Sequence, residues 1–128
     1  MHITDYFNQM PANLDGVTAI SSRNIIFDQR SDVAGYIRGV IDFTDGSQLH
    51  FSEYVNVEWG INRMKYSYHF MQKNQLLFRY DNASNPKARR LKTYPHHKHT
   101  TDGKMIESSA PTLVEVIAEI QSFFLNSV

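Results

Sequence analysis

Tyr94-Pro95-His96-His97-Lys98-His99 sets three imidazoles within four residues, the densest group of reactive side chains in the 128-residue chain. Histidine titrates near neutral pH, so a pair of imidazoles can act as general base and general acid in one turnover while a neighbouring Lys or Arg supports phosphate charge. That combination suits metal-free cleavage of RNA. The same nitrogens also suit zinc, nickel or iron, with Asp81 adding an oxygen ligand. Structural zinc sites draw on two separated ligand pairs, however, and beyond this one cluster only His50 and His69 stand as distant alternatives. A third reading leaves the histidines as plain exposed loop residues.

A second ionisable group strengthens the catalytic reading. His69, Arg79 and Asp81 share a parity with Lys65 and Ser67, so they project from one side of a predicted hairpin, and Asp81 opens the segment that carries the histidines. If that segment folds back over the sheet, Asp81 orients an imidazole, Arg79 holds a phosphate through paired donors, and Tyr94 stacks on a base or shares a proton. Other chemistries find no support. The chain has no cysteine, no glycine-rich phosphate loop, no Gly-x-Ser-x-Gly elbow and no His-Glu-x-x-His, which removes disulfides, thiolate metal sites and cysteine nucleophiles.

The elements that must position these groups read as a small α+β domain, taken as a single unit over 1–128. Ile3, Phe7 and Met10 fall at helical spacing, and Pro11 predicts the end of that short helix. Val17 to Arg30 reads as a strand. Val33, Ile37, Ile41 and Phe43 continue in parity into Leu49, Phe51 and Val55, which requires an odd-numbered loop; Thr44-Asp45-Gly46 supplies it, with Gly46 left-handed and Ile41 facing Leu49. By the same reasoning a Gln72-Lys73-Asn74 loop joins a second hairpin, pairing Tyr66 with Tyr80, Tyr68 with Phe78, Lys65 with Asp81 and Ser67 with Arg79. Trp59-Gly60 is a loop between the hairpins. Thr112 to Leu125 has a Thr112/Glu115 capping box and an apolar stripe of Leu113, Val116, Ile117, Ile120 and Phe124. The expected architecture is an antiparallel sheet of about five strands, a short N-terminal helix, a C-terminal amphipathic helix and a long functional loop over 82–110.

Charge points to the same loop. Thirteen basic and thirteen acidic residues cancel over the chain, yet 86–104 holds Lys87, Arg89, Arg90, Lys92, Lys98 and Lys104 against Asp102 alone, a net of +5 that leaves −5 on the rest. Such a segment attracts polyanions or is simply solvated. No apolar run approaches the roughly 20 residues that cross a bilayer, and the N-terminus lacks a secretory pattern, so a cytoplasmic protein without membrane contact is expected.

Arg79-Tyr80-Asp81-Asn82-Ala83, then Tyr94-Pro95-His96-His97-Lys98-His99, then a Ser/Pro-led helix with Leu113-Val114-Glu115-Val116 resemble the TumE-type toxins of toxin–antitoxin modules. The similarity runs from about Gly39 to Ile120 and includes Asp45-Gly46-Ser47, Phe51-Ser52-Glu53-Tyr54 and Tyr66-Ser67-Tyr68-His69-Phe70. One departure is Ser84-Asn85-Pro86, where such proteins often carry Pro-His-His-Pro. The resemblance implies a small prokaryotic toxin neutralised by direct binding of a cognate antitoxin. Residue chemistry then gives the expected roles on RNA: His97 and His99 share acid and base work with His96 beside them, Asp81 orients, and Arg79 and Lys98 meet the phosphate. Tyr94, His69, Arg89 and Arg90 complete the expected substrate contacts, and no cofactor is required by this reading. The alternatives are a non-catalytic inhibitor that docks on nucleic acid or protein through its basic loop, and a metal-dependent hydrolase.

Overall fold

The computed structural model describes residues 1–125 and runs in the order α1 (Ile3–Leu14), β1 (Ile20–Gln29), β2 (Ala34–Phe43), β3 (Gln48–Asn56), β4 (Asn62–Gln72), β5 (Gln75–Asp81), a 3₁₀ turn (Pro86–Arg90), β6 (His97–Thr100), β7 (Met105–Glu107) and α2 (Leu113–Leu125). The strands form one antiparallel meander in which spatial order equals chain order. The sheet thus has seven strands, not about five.

Alternation in the strands creates two unlike faces. Ile37, Ile41, Phe43, Leu49, Phe51, Val55, Tyr66, Tyr68, Phe70, Phe78 and Tyr80 are buried on one face, where Ile3, Phe7, Met10 and Leu14 of α1 and Leu113, Val116, Ile117 and Ile120 of α2 cover them. The opposite face carries no α-helix among the described residues and is lined by polar and ionisable side chains. The Thr112/Glu115 capping box starts α2 as expected: Glu115 N–H reaches Thr112 Oγ1 at 3.3 Å and Thr112 N–H reaches Glu115 Oε1 at 3.1 Å. Pro11 does not end α1, because Leu14 extends the buried stripe one turn further and its packing outweighs the hydrogen bond that proline withholds.

Of the two hairpin registers, the first matches the expectation, with Gly46 at φ +85° and Ile41 opposite Leu49. The second differs by two residues. Lys73 joins Asn74 in the left-handed region, at φ 50° and 63°, making a two-residue turn with Gln72 paired to Gln75, and a bulge follows between Phe70 and Met71. The two changes together restore the parity but slide the pairing, so Tyr68 faces Tyr80, Phe70 faces Phe78, Ser67 faces Asp81 and His69 faces Arg79. The stretch 82–110 is the other correction. It is no open loop: β6 adds to the free edge of β5, and β7 returns through a turn with Gly103 at φ +83°.

A buried polar knot ties α2 to this frame. Glu53, 2% exposed, accepts hydrogen bonds from the hydroxyls of Tyr6 and Tyr68. Arg63 in turn donates to Tyr68 Oη at 2.9 Å and to the carbonyls of Ala110 and Pro111 at 2.9 and 2.6 Å, just ahead of α2. Burial and the Glu53 carboxylate push both phenols far above their ordinary range.

Two predictions follow from this packing. A Cβ at Gly39 would lie 2.4 Å from a ring carbon of the buried Phe51, so Gly39→Ala should lower unfolding free energy in urea by about 1–3 kcal/mol. Tyr68 keeps its proton in the fold while the unfolded chain releases it above about pH 10, so stability falls as pH rises there. Tyr68→Phe should flatten that fall by about 1.4 kcal/mol per pH unit in alkaline denaturation curves.

Candidate functional site

Strand pairing writes two rows of side chains across the helix-free face. One row runs Val40, His50, His69, Arg79, His99 and Met105 over β2 to β7; the next runs Arg38, Ser52, Ser67, Asp81, His97 and Glu107. Neighbours in a row are about 4.8 Å apart. The antiparallel addition of β6 therefore brings His97 against Asp81 and His99 against Arg79, although the members of these pairs lie 16 and 20 positions apart in the chain.

Asp81 is the centre of the group, with a side chain only 5% exposed. Arg79 Nε donates to its Oδ2 at 2.9 Å, Ala83 N–H donates to its Oδ1 at 3.0 Å, His97 Nε2 lies 2.9 Å from Oδ1 and His99 Nε2 lies 3.3 Å from Oδ2. Burial alone would raise the Asp81 carboxyl, but the Arg79 and Ala83 donors and the charges of His97 and Arg79 outweigh it and hold it below the usual carboxylate range. Asp81 is thus an anion whose neighbours are all donors or imidazoles.

The imidazoles divide into different environments. His97 is 1% exposed and its Nδ1 sits 2.8 Å from the Pro95 carbonyl, which can only accept, so Nδ1 carries a hydrogen. Its Nε2 meets Asp81 too obliquely for a directed hydrogen bond and has no other partner. Enclosed in this way, His97 cannot touch a substrate, and the acid–base partnership of His97 with His99 expected from the sequence does not fit its burial. His99 is 27% exposed; burial pulls its pKa below the ordinary value against the opposing pull of Asp81, with His97 and Arg79 lowering it further. His69 is lowered by burial, then by Arg79, whose Nη1 donates to its Nδ1 at 3.2 Å.

Two clefts meet at this group. The first, of about 550 Å³, is lined by Asn24, Arg38, His50, Ser52, Ser67, His69 and Arg79 with several apolar residues, and no carboxylate lines it. The second, of about 700 Å³, takes in Lys65, Arg79, Asp81, Asn82, Ser84, Tyr94 and Pro95. Ser52, Ser67 and Arg79 line both. Tyr94 therefore stands at the mouth of the site, and hydrogen bonds from Ser84 and Arg89 hold its phenol below the usual value, which also places Arg89 beside it.

Three expected residues lie elsewhere. Lys98 points to the helix face, its ammonium 2.9 Å from Glu119 Oε2 and over the rings of Phe78 and Tyr80. His96 stacks on Tyr66, with Nδ1 2.8 Å from that hydroxyl. Arg90 is exposed on the 3₁₀ turn and lines neither cleft. Two residues outside the expected site enter instead: His50, which the sequence offered only as a distant metal-ligand alternative and which pairs across β3 and β4 with His69, and Arg38. Both were within reach of the alternation in β2 and β3, which sends every second residue to the helix-free face. Asp81, His97 and His99 also offer three ligand atoms within 4.8 Å of one another, a spacing that can hold a metal ion.

A seven-stranded antiparallel meander, with helices on one face and a buried Asp–His pair flanked by Arg and His beside a cationic cleft on the other, defines a small α+β domain. The family model described as toxin TumE matches residues 12–124 of the chain. The chain belongs to the TumE toxin family, and membership implies the toxin component of a toxin–antitoxin module, with an antitoxin as partner. None of the curated proteins and none of the solved structures matches it. No helix among the described residues is long and apolar enough to cross a membrane.

Proposed function

We propose that this toxin acts by cleaving RNA on the helix-free face of its sheet, with His99 and Arg79 as the reacting groups and Asp81 and His97 positioning them. The observation that carries this reading is the cleft lined by Arg38, Arg79, His50 and His69 with no carboxylate, ending against the Asp81 group. A phosphodiester laid along it meets two guanidinium groups and imidazole donors and no opposing charge. Arg79 is held at its Nε by Asp81 and at Nη1 by His69, so its planar fork is fixed in direction and Nη2 is left for a phosphate.

RNA fits this centre better than DNA for a chemical reason. Each RNA phosphate has a 2′-hydroxyl beside it: its oxygen attacks phosphorus as the bond to the 5′-oxygen breaks, so the centre takes the 2′-hydroxyl proton, supports the charge on phosphorus and returns a proton to the leaving 5′-oxygen, two transfers that one imidazole can make in turn. His99 is the half-open member placed to meet the substrate, while His97 and Asp81 position it from below. Arg38 and His50, further along the cleft, bind the chain without touching the reacting atoms.

The test uses tag-free protein with labelled RNA and DNA of one sequence. RNA should be cut and DNA left intact; Arg79→Ala and His99→Ala should each lower kcat/KM by about 100-fold or more. Arg38→Ala should raise KM several-fold with kcat little changed. RNA bound yet intact at stoichiometric protein, or an Arg79→Ala protein as active as wild type, would refute cleavage at this centre and favour an inhibitor that blocks by binding.

A further inference from the structure

We infer that Asp81, His97 and His99 form a site for one divalent transition metal of the zinc, cobalt or nickel class. The site stands on geometry alone; its use in catalysis rests on the RNA reading above.

The argument begins with the tautomer of His97. Its Nδ1 hydrogen is committed to the Pro95 carbonyl at 2.8 Å, so in the neutral ring Nε2 presents a bare lone pair. That lone pair is buried, has no hydrogen-bond partner, and faces a carboxylate oxygen at 2.9 Å. Two acceptors at that distance repel unless a cation lies between them. A proton on Nε2 would serve only if it pointed at Oδ1, and the approach is too oblique for that. A metal ion needs no such alignment with the oxygen, because each donor points at the ion and not at the other donor.

Spacing and support agree. Ligands about 2.0–2.2 Å from a common metal lie roughly 3 to 3.5 Å from each other. His97 Nε2 and His99 Nε2 stand 2.9 and 3.3 Å from the two oxygens of Asp81, and the three ligand atoms lie within 4.8 Å of one another, so the partly exposed His99 has to close in by a shift of its ring to share one ion. Two imidazoles and one carboxylate are an ordinary ligand set for these ions, and histidine ligands usually donate their other ring N–H to a backbone carbonyl, as His97 does to Pro95. Arg79 and Ala83 fix the carboxylate from the other side. The three ligands sit on paired strands, and the partial exposure of His99 leaves room for water or a phosphate oxygen as a further ligand.

Tag-free protein stripped with chelator should bind one Zn²⁺ per chain by calorimetry and give a Co²⁺ absorption band. His99→Ala and Asp81→Asn, each checked for fold by circular dichroism, should weaken both at least tenfold, and His50→Ala should retain them. Because His97 is buried and its replacement risks misfolding, the half-exposed His99 carries the test. Wild-type protein that binds neither ion more tightly than about 100 μM, or His99→Ala binding as wild type does, overturns the site. Stoichiometric metal with RNA left intact would uphold the site and refute the nuclease reading; RNA cut at full rate by stripped, metal-free protein would uphold the nuclease reading and overturn any catalytic use of the metal, with the binding titration alone deciding the site.

Discussion

A carboxylate on a sheet face, only 5% exposed, is the constraint to which the rest of this molecule answers. Removing Asp81 from water costs several kcal/mol unless donors replace the solvent. Here three neighbours take the place of solvent: Arg79 two residues back on the same strand and the Ala83 N–H just after it, which donate, and the imidazoles of β6, which lie against both carboxylate oxygens. The first two are local consequences of sequence, since residues i and i+2 share a face and an Asp readily bonds the backbone two residues on. The third is not local. It needs β6 to return antiparallel along β5 in the one register that sets His97 beside Asp81 and His99 beside Arg79.

What holds β6 in that register lies on its other face. Lys98 lays its stem over Phe78 and Tyr80 and ends on Glu119 of α2, whose other carboxylate oxygen accepts from the Tyr80 hydroxyl. A residue that looked like a phosphate ligand is thus the anchor of the strand that carries His97 and His99. The alternation of β6 divides its labour: His97 and His99 serve the open face, Lys98 and Thr100 the core side. A one-residue slip would exchange these roles and strand Lys98 against the Asp81 group, so the anchoring pair and the reactive pair specify one another.

Much of this was legible in the sequence wherever apolar parity carried the signal. The β2–β3 register, both helices, the Thr112 cap and the shared face of His69, Arg79 and Asp81 all follow from period and turn residues. The misses have separate physical causes. The β4–β5 register turned on Lys73 adopting a left-handed conformation that its residue type does not announce, and on a bulge that compensates in parity and so leaves no trace in the pattern. β6 was invisible because its core-facing residue is a lysine acting through its methylenes, which breaks any apolar count. Pro11 was outvoted by Leu14. His50 and Arg38 lay on strands assigned correctly, but only the closed sheet shows that they share a cleft with Arg79.

The distribution of charge changes meaning once the fold is known. The basic excess of 86–104 does not gather into one patch: Lys98 is spent on Glu119, Lys104 sits beside Asp102, and Lys87, Arg89 and Arg90 ride on the 3₁₀ turn. The surface suited to a polyanion is the sheet face itself, assembled from arginines and histidines of β2 to β6 that no sequence window contains together. Its two clefts join at Ser52, Ser67 and Arg79, so a chain passing from the Arg38 end to the Tyr94 end crosses directly over the Asp81 group. Under the RNA reading this junction selects the bond to be cut by position, since the phosphate bridging the two clefts is the one set against Arg79, whose strand neighbour across β5 and β6 is His99.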